Sequence, residues 1–273
     1  MKKFLSVLMA AAMLLSVCAL TACGGSEEPA PETEGTEVTE PAEGVELTTV
    51  TEGVLTMSTN AAFPPYELTN DAGEYEGIDV EIAQAIAEKL GLELQIDDMD
   101  FDAALMAAQN GKSDMVMAGV TVNEDRLLTM DFSESYATGV QVVIVKKGSD
   151  ETLDNLGEMM IGTQRGTTGY IYCTDDYGEE HVIAYDNGIT AVQALMNGQV
   201  DCVVIDKAPA QAFVEANAGL TILDTEYVTE NYAIGVAKGN TALLDAINGA
   251  LAELTEDGTI QAIIDKYIPA EAE

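Results

Sequence analysis

Short apolar runs alternate along this chain with stretches in which apolar residues recur every three or four positions. VLTMST (54–59) predicts a strand. In IDVEIAQAIAEKLG (78–91), Ile78, Ile82, Ile86 and Leu90 form one stripe on a helix, and Gly91 supplies a left-handed C-terminal cap. LELQI (92–96) predicts a strand, 101–110 a helix, DMVMAG (114–119) a strand and VQVVIVKK (140–147) another. Further strands are expected at 160–164, 181–185, 201–206, 220–224 and 233–239. Helices over 188–197 and 208–217 lie among them, and helices over 241–255 and 258–267, broken at Gly258, close the chain. Strands alternating with helices predict an α/β fold whose mainly parallel sheets are flanked by helices.

A faint repeat overlies this pattern. ALMAAQNGKSDMVM (104–117) and AVQALMNGQVDCVV (191–204) each read as an apolar helix, an Asn-Gly able to take up left-handed geometry at its end, and an Asp opening a buried strand. Either a common helix–turn–strand device occurs twice, or the chain builds two similar lobes. In the second case Ala118-Gly119 and Ile205-Asp206 end matching strands. Open α/β sheets bind ligands at such ends, so two facing lobes would put both in one cleft.

The first 46 residues do not share the pattern. Lys2 and Lys3 precede an apolar run from Phe4 to Leu20, which predicts a secretory signal over 1–22, with an uncleaved anchor as the alternative. Leu-Thr-Ala-Cys-Gly (20–24) resembles a bacterial lipobox, which implies diacylglycerol on Cys23. Residues 23–46, with eight glutamates, three prolines and no basic side chain, predict an extended acidic tether.

Composition narrows the chemistry. A formal charge of −37 argues against nucleic acid as a partner. One histidine and four cysteines make a zinc site unexpected, and no metal or cofactor is anticipated. His181, at the start of a strand-like run, reads as structural or superficial. The acidic run Asp97–Asp102 starts like a calcium loop but has Ala103 and Gln109 where Gly and Glu are needed, so Asp100 is read as a helix cap. With Cys18 in the signal and Cys23 lipidated, Cys173 and Cys202 remain; two buried thiols are preferred, with a disulfide as the alternative.

Arg126, in AGVTVNEDR, is one of only two arginines. Its guanidinium fork matches a carboxylate, with Thr121 and the amides of the following short helix completing an anion cradle; a surface Arg beside Glu124 and Asp125 is the alternative. GTQRGTTG (162–169) follows a strand and lets backbone amides approach an anion, though a plain turn is equally consistent; it lacks the Gly-Lys-Ser/Thr of a nucleotide phosphate loop. NAAFPPYE (60–67) places Phe63 and Tyr66 in one loop, as pocket lining or as packing beneath it.

GIDVEIAQAIAEKL (77–90) resembles the signature of the family-3 extracellular solute-binding proteins, the polar amino-acid receptors of ABC importers. The similarity runs over 50–268 through TNAAFPPYE, FDAALMAAQNGKSDMVMAGVTVNEDR, DFS (131–133), GTQRGTTG and NGQVDCVVID. It implies a two-lobed periplasmic-binding-protein fold of type II with crossover strands near 138–142 and 229–235. Lobe 1 would span 47–137 and 233–273, and lobe 2 138–232.

The resemblance also implies roles in one cleft. Arg126 takes the ligand α-carboxylate, helped by Thr121 and the amides at Thr121 and Thr168. Asp206 takes the α-ammonium, with the Gly119 carbonyl and the Thr121 hydroxyl. Phe63 and Phe101 sandwich the side chain, and Ala118, Thr167, Gln164 and Asn60 complete the lining. Many relatives that take cationic amino acids have an acid where this chain has Asn60, which leans toward a polar neutral or acidic ligand. The implied protein is a monomer, lipid-anchored on the outer face of the bacterial membrane, that serves a permease and its ATPase. It is not an enzyme: a fold-related dehydratase would need a general acid or base over the ligand, and Asp206 is already committed to an ammonium.

Overall fold

The computed structural model describes residues 47–224 and 226–269; the expected signal, Cys23 and the tether lie outside them. β1 (Val54–Thr59) is the centre of the first half, paired in parallel with β5 (Glu93–Asp98) and β6 (Met115–Val116). A small antiparallel sheet of β2 (Ala62–Phe63), β3 (Glu67–Thr69) and β4 (Tyr75–Glu76) precedes α1 (Ile78–Leu90). The α1 stripe is buried as its spacing requires: Ile78, Ile82 and Ile86 are fully enclosed, and Gly91 caps the helix at φ 69°. α2 (Phe101–Gln109) follows β5. Asp100 stands at its N-cap, but its side chain makes no capping bond.

α3 (Glu124–Thr129) leads into β7 (Met130–Lys146). The second half holds β8 (Ile161–Gln164), α4 (Thr168–Tyr177), β9 (Val182–Tyr185), α5 (Gly188–Asn197), β10 (Cys202–Asp206), α6 (Lys207–Ala216) and β11 (Leu220–Ile222). β8 pairs in parallel with both β9 and β10. β12 (Val228–Ala237) then runs antiparallel to β7, and α7 (Thr241–Glu256) and α8 (Thr259–Tyr267) pack back on α1.

The strand order is β5-β1-β6-β12-β7-β10-β8-β9, with β11 beside β7. Each side of the β12–β7 pair therefore repeats one scheme: three parallel strands closed by a fourth that is antiparallel. The sheet is thus mixed, its antiparallel pairs supplied by β7 and β12, which serve both halves. The two sequence repeats occupy matching places, α2 into β6 and α5 into β10, with Gly111 (φ 63°) and Gly198 (φ 72°) making the left-handed turns.

Two strands differ from expectation. The run 140–147 is only the end of the 17-residue β7, whose first half mixes polar and apolar residues and is defined by pairing with β12 from far along the chain. The run 114–119 leaves the ladder after Val116, because Gly119 turns the backbone at φ 54°.

Candidate functional site

The turn after β6 and the end of β10 open onto one cavity. Its first-half wall is made by Asn60 and Phe63 after β1, Phe101 at the start of α2, Ala118, Gly119 and Thr121 after β6, and Arg126 on α3. Gln164, Thr167 and Thr168, between β8 and α4, and Asp206, at the end of β10, form the second-half wall. All eleven candidate binding residues thus share one cavity. The twelfth lining residue, Glu67, was not singled out from the sequence.

Arg126 is 7% exposed, so it is not the surface arginine of the alternative reading. Asn123 caps α3 by accepting from the Arg126 amide (2.8 Å), which fixes where the side chain starts. Nη1 donates to the Thr121 carbonyl (2.7 Å), Nη2 to the Gly166 carbonyl (3.1 Å), and the guanidinium lies 5.4 Å from the Phe101 ring centre. Burial lowers its pKa, while Glu230 leads the anions that oppose the shift.

Gly166 belongs to the second half, so Arg126 spans the two walls. Gln164 does the same from the other side, its Nε2 donating to Asn60 Oδ1 at 3.0 Å.

Asp206, 8% exposed, accepts from Gln141 Nε2 (2.9 Å) and from the Tyr232 hydroxyl. Burial, and secondarily Glu230, push its pKa up to about 7, against the pull of Tyr232 and Gln141. Tyr66, edge-on to Tyr232 with ring centres 5.3 Å apart, packs beneath Phe63.

The signature segment acts beneath the cavity. Gly77 sits at φ 130°, and a Cβ there would fall 2.2 Å from the Tyr66 carbonyl oxygen, so only glycine lets α1 start against the PPYE turn. Asp79, in the first turn of α1, accepts from the Gly119 amide at 2.9 Å and holds the turn that carries Ala118 and Thr121.

Glu67 is fully buried, and neither of its carboxyl oxygens meets a donor among the described residues; Asp79 Oδ1 is equally unpartnered. Burial first, then Asp79, drive Glu67 well above the usual carboxylate range, and burial raises Asp79 to about 6.

Other candidates lie apart. Arg165 is exposed, 3.8 Å from Asp186, outside the cavity lining. His181 Nδ1 meets the Met159 carbonyl at the surface end of β9. Cys173 and Cys202 are free and buried in one cluster. Among the described residues no group of His, Cys, Asp and Glu is arranged to hold a metal ion, and no helix is long and apolar enough to cross a membrane. Sequence reading also missed Gln141 and Glu230; the available signal was Gln141 as the one polar side chain inside the apolar run VQVVIV, whereas Glu230 sits in the polar stretch VTEN and carried none.

Residues 55–270 match the family model for bacterial extracellular solute-binding proteins, family 3, and the chain belongs to that family of binding proteins. It is 32% identical to the probable histidine-binding protein of Neisseria gonorrhoeae, over 99% of this chain and 97% of that one. It is also 32% identical to the glutamine-binding protein GlnH of an ABC transporter in Bacillus subtilis, over 73% and 76%. Among solved structures, an ancestral arginine-binding protein bound to glutamine superposes with a TM-score of 0.77 at 39% identity, covering 81% of this chain and all of that one. The resemblance read from the motifs and the type II periplasmic-binding fold it implied are both sustained.

Proposed function

We propose that this chain captures a free amino acid between the two halves and delivers it to the permease and ATPase of an ABC importer. The observation that carries the reading is one guanidinium, Arg126, and one carboxylate, Asp206, on opposite walls of a single cavity. The separated charges of an α-amino acid fit that pair. Arg126, Thr121 and the amide at the start of α4 receive the α-carboxylate, while Asp206 and the Gly119 carbonyl receive the α-ammonium. Phe63 and Phe101 cover the side chain.

The halves act as lobes, 47–137 with 233–273 and 138–232, hinged on β7 and β12. Contacts to ligand from both walls exist only when the lobes meet, so binding shifts the population toward closure. Charge-assisted bonds net roughly 1.5–3 kcal/mol each, and three or four suffice for micromolar affinity after the cost of closure. The protein works as an extracytoplasmic monomer held to the membrane by lipid on Cys23.

Glu67 revises the expected side-chain preference. An amide, imidazole or guanidinium brings N–H donors to the unpartnered Glu67 oxygens, whereas a ligand side-chain carboxylate would find no second cation in the lining. We therefore favour a donor-bearing side chain over an acidic one. This agrees with the histidine-binding, glutamine-binding and arginine-binding names of its relatives.

A thermal-shift screen of the twenty common amino acids and cystine tests the reading. Saturable stabilisation by arginine, glutamine or histidine and none by glutamate or aspartate is expected. No stabilisation by any of them refutes the function.

A further inference from the structure

Behind the cavity wall, Gln141 on β7 and Glu230 on β12 form a buried pair that does not line the cavity. We propose that Gln141 and Glu230, one from each strand shared by the two halves, are positioning residues of the amino-acid site that fix which atoms of Asp206 and Thr168 face the ligand. The proposal rests on the amino-acid reading above and deepens it.

Hydrogen counting carries the case. The Gln141 amide nitrogen has two hydrogens, and its two acceptors are Asp206 Oδ2 and Glu230 Oε2, each at 2.9 Å. Glu230 also accepts from the Thr168 hydroxyl (3.0 Å) and, at Oε1, from the Tyr172 hydroxyl (3.0 Å). The single hydroxyl proton of Thr168 is thereby used, so Thr168 can offer a ligand carboxylate only its backbone N–H, at the start of α4. Asp206 receives Gln141 on one oxygen and Tyr232 on the other, which leaves a lone pair on each oxygen for an ammonium. The acid and the amide that would hold the two poles of an amino acid are thus oriented by one unit.

The unit is seated where the halves join. Gln141 is the cross-strand partner of Val228, two residues from Glu230 and on the same face of β12. A Cβ at Gly169 would fall 2.9 Å from Gln141 Oε1, so the helix start has the room the amide needs. Any bend of β7 against β12 displaces Asp206 and Thr168 together.

Calorimetry with L-arginine and L-glutamine on the full chain tests this. Glu230→Gln keeps the shape but removes the charge that accepts from Gln141, Thr168 and Tyr172, and affinity should fall by about 10- to 100-fold, the scale of one charge-assisted bond. Tyr172→Phe, which removes one donor from Glu230 and touches no cavity wall, should weaken binding by roughly fivefold. In an Asp206→Asn background Glu230→Gln should cost less than it does in wild type, because the part of its effect carried by Asp206 is already lost.

A structural role would not produce that coupling, nor the second signature, the acid limb of the affinity–pH profile. The charged and titratable groups acting on Asp206 are Glu230 and Tyr232 on β12, Tyr66 and Glu67 beside β3, Arg126 on α3 and Tyr172 on α4. Removing the Glu230 charge lowers the Asp206 pKa, so the limb moves to lower pH. Wild-type protein that binds a probe, with Glu230→Gln binding within threefold or adding fully to Asp206→Asn, overturns the positioning role alone. Wild-type protein that binds no amino acid overturns the reading beneath it as well.

Discussion

Arg126 reaches from α3 in the first half of the sheet to the carbonyl of Gly166 in the second, 3.1 Å from Nη2. Gly166 adopts φ 74°, and a Cβ built on it would fall 1.6 Å from Asp102 Oδ1, on α2 of the first half. A side chain at this position would therefore require the half-buried Asp102 carboxylate to move aside where the walls meet.

Gly166→Ala should separate the walls without unfolding either half. Left-handed strain of about 1 kcal/mol is carried with or without ligand and lowers stability, whereas displacing Asp102 is needed only when the walls meet, so amino-acid affinity should drop several-fold. Small-angle scattering should then show compaction only at higher L-arginine or L-glutamine concentrations than wild type requires. Equal affinity in the variant would mean that the halves do not close on this contact.

Arg126→Ala removes the only guanidinium in the cavity lining. Truncating one member of a buried charge pair costs roughly 2–5 kcal/mol, which puts the loss at thirtyfold or more. Arg126→Lys should recover little, because an ammonium cannot bridge Thr121, Gly166 and a carboxylate in one plane. Calorimetry on both variants, with circular dichroism to check the fold, decides this; full affinity in either would remove the carboxylate role.

The sequence disclosed elements wherever local period and punctuation agree. The stripe Ile78–Ile82–Ile86 and its Gly91 cap are local facts, and α1 appears as read. The paired ends Gly119 and Asp206 were legible because a repeat 87 residues apart implied matching strand ends. What escaped depends on partners distant in sequence. The first half of β7 is a strand only because Val228–Ala237 lies against it, and Glu67 enters the site only because Gly77 lets α1 close on the PPYE turn. Glu230 could not be read at all, since its donors come from β7 and α4.

Cys173 on α4 and Cys202 on β10 are fully buried free thiols in one apolar cluster, which decides between the two readings left open by the sequence. Burial pushes the Cys173 thiol up to about 12 and raises Cys202 as well, so thiolate is scarce at neutral pH. Alkylation followed by peptide mass spectrometry should find both unmodified in native protein and both labelled in denaturant without reductant. Recovery of a linked peptide pair would establish a disulfide instead.

Binding and stability should depend on pH in opposite directions. Asp206 is raised to about 7 and Asp79 to about 6, both chiefly by burial, and burial raises Glu67 well above its ordinary value. The unfolded chain releases these protons near pH 4, so between about pH 4 and 7 the unliganded fold binds more protons than the unfolded state. Its stability is thus fullest on the acid side and declines as pH rises through that window, and relief of the net negative charge at low pH acts in the same direction. Glu81, Asp131 and Asp257 are lowered by their partners and act in the opposite direction at the acid end. The thermal midpoint of unliganded protein should therefore fall from pH 5 to pH 8. An ammonium, by contrast, needs Asp206 ionised. Affinity should climb by up to about tenfold per pH unit from pH 5.5 toward 7 and then level, with on the order of one proton released per ligand bound at pH 6. Calorimetry in buffers of different ionisation enthalpy counts that proton directly. A flat affinity over this range with no proton exchange would show that Asp206 does not hold the ammonium.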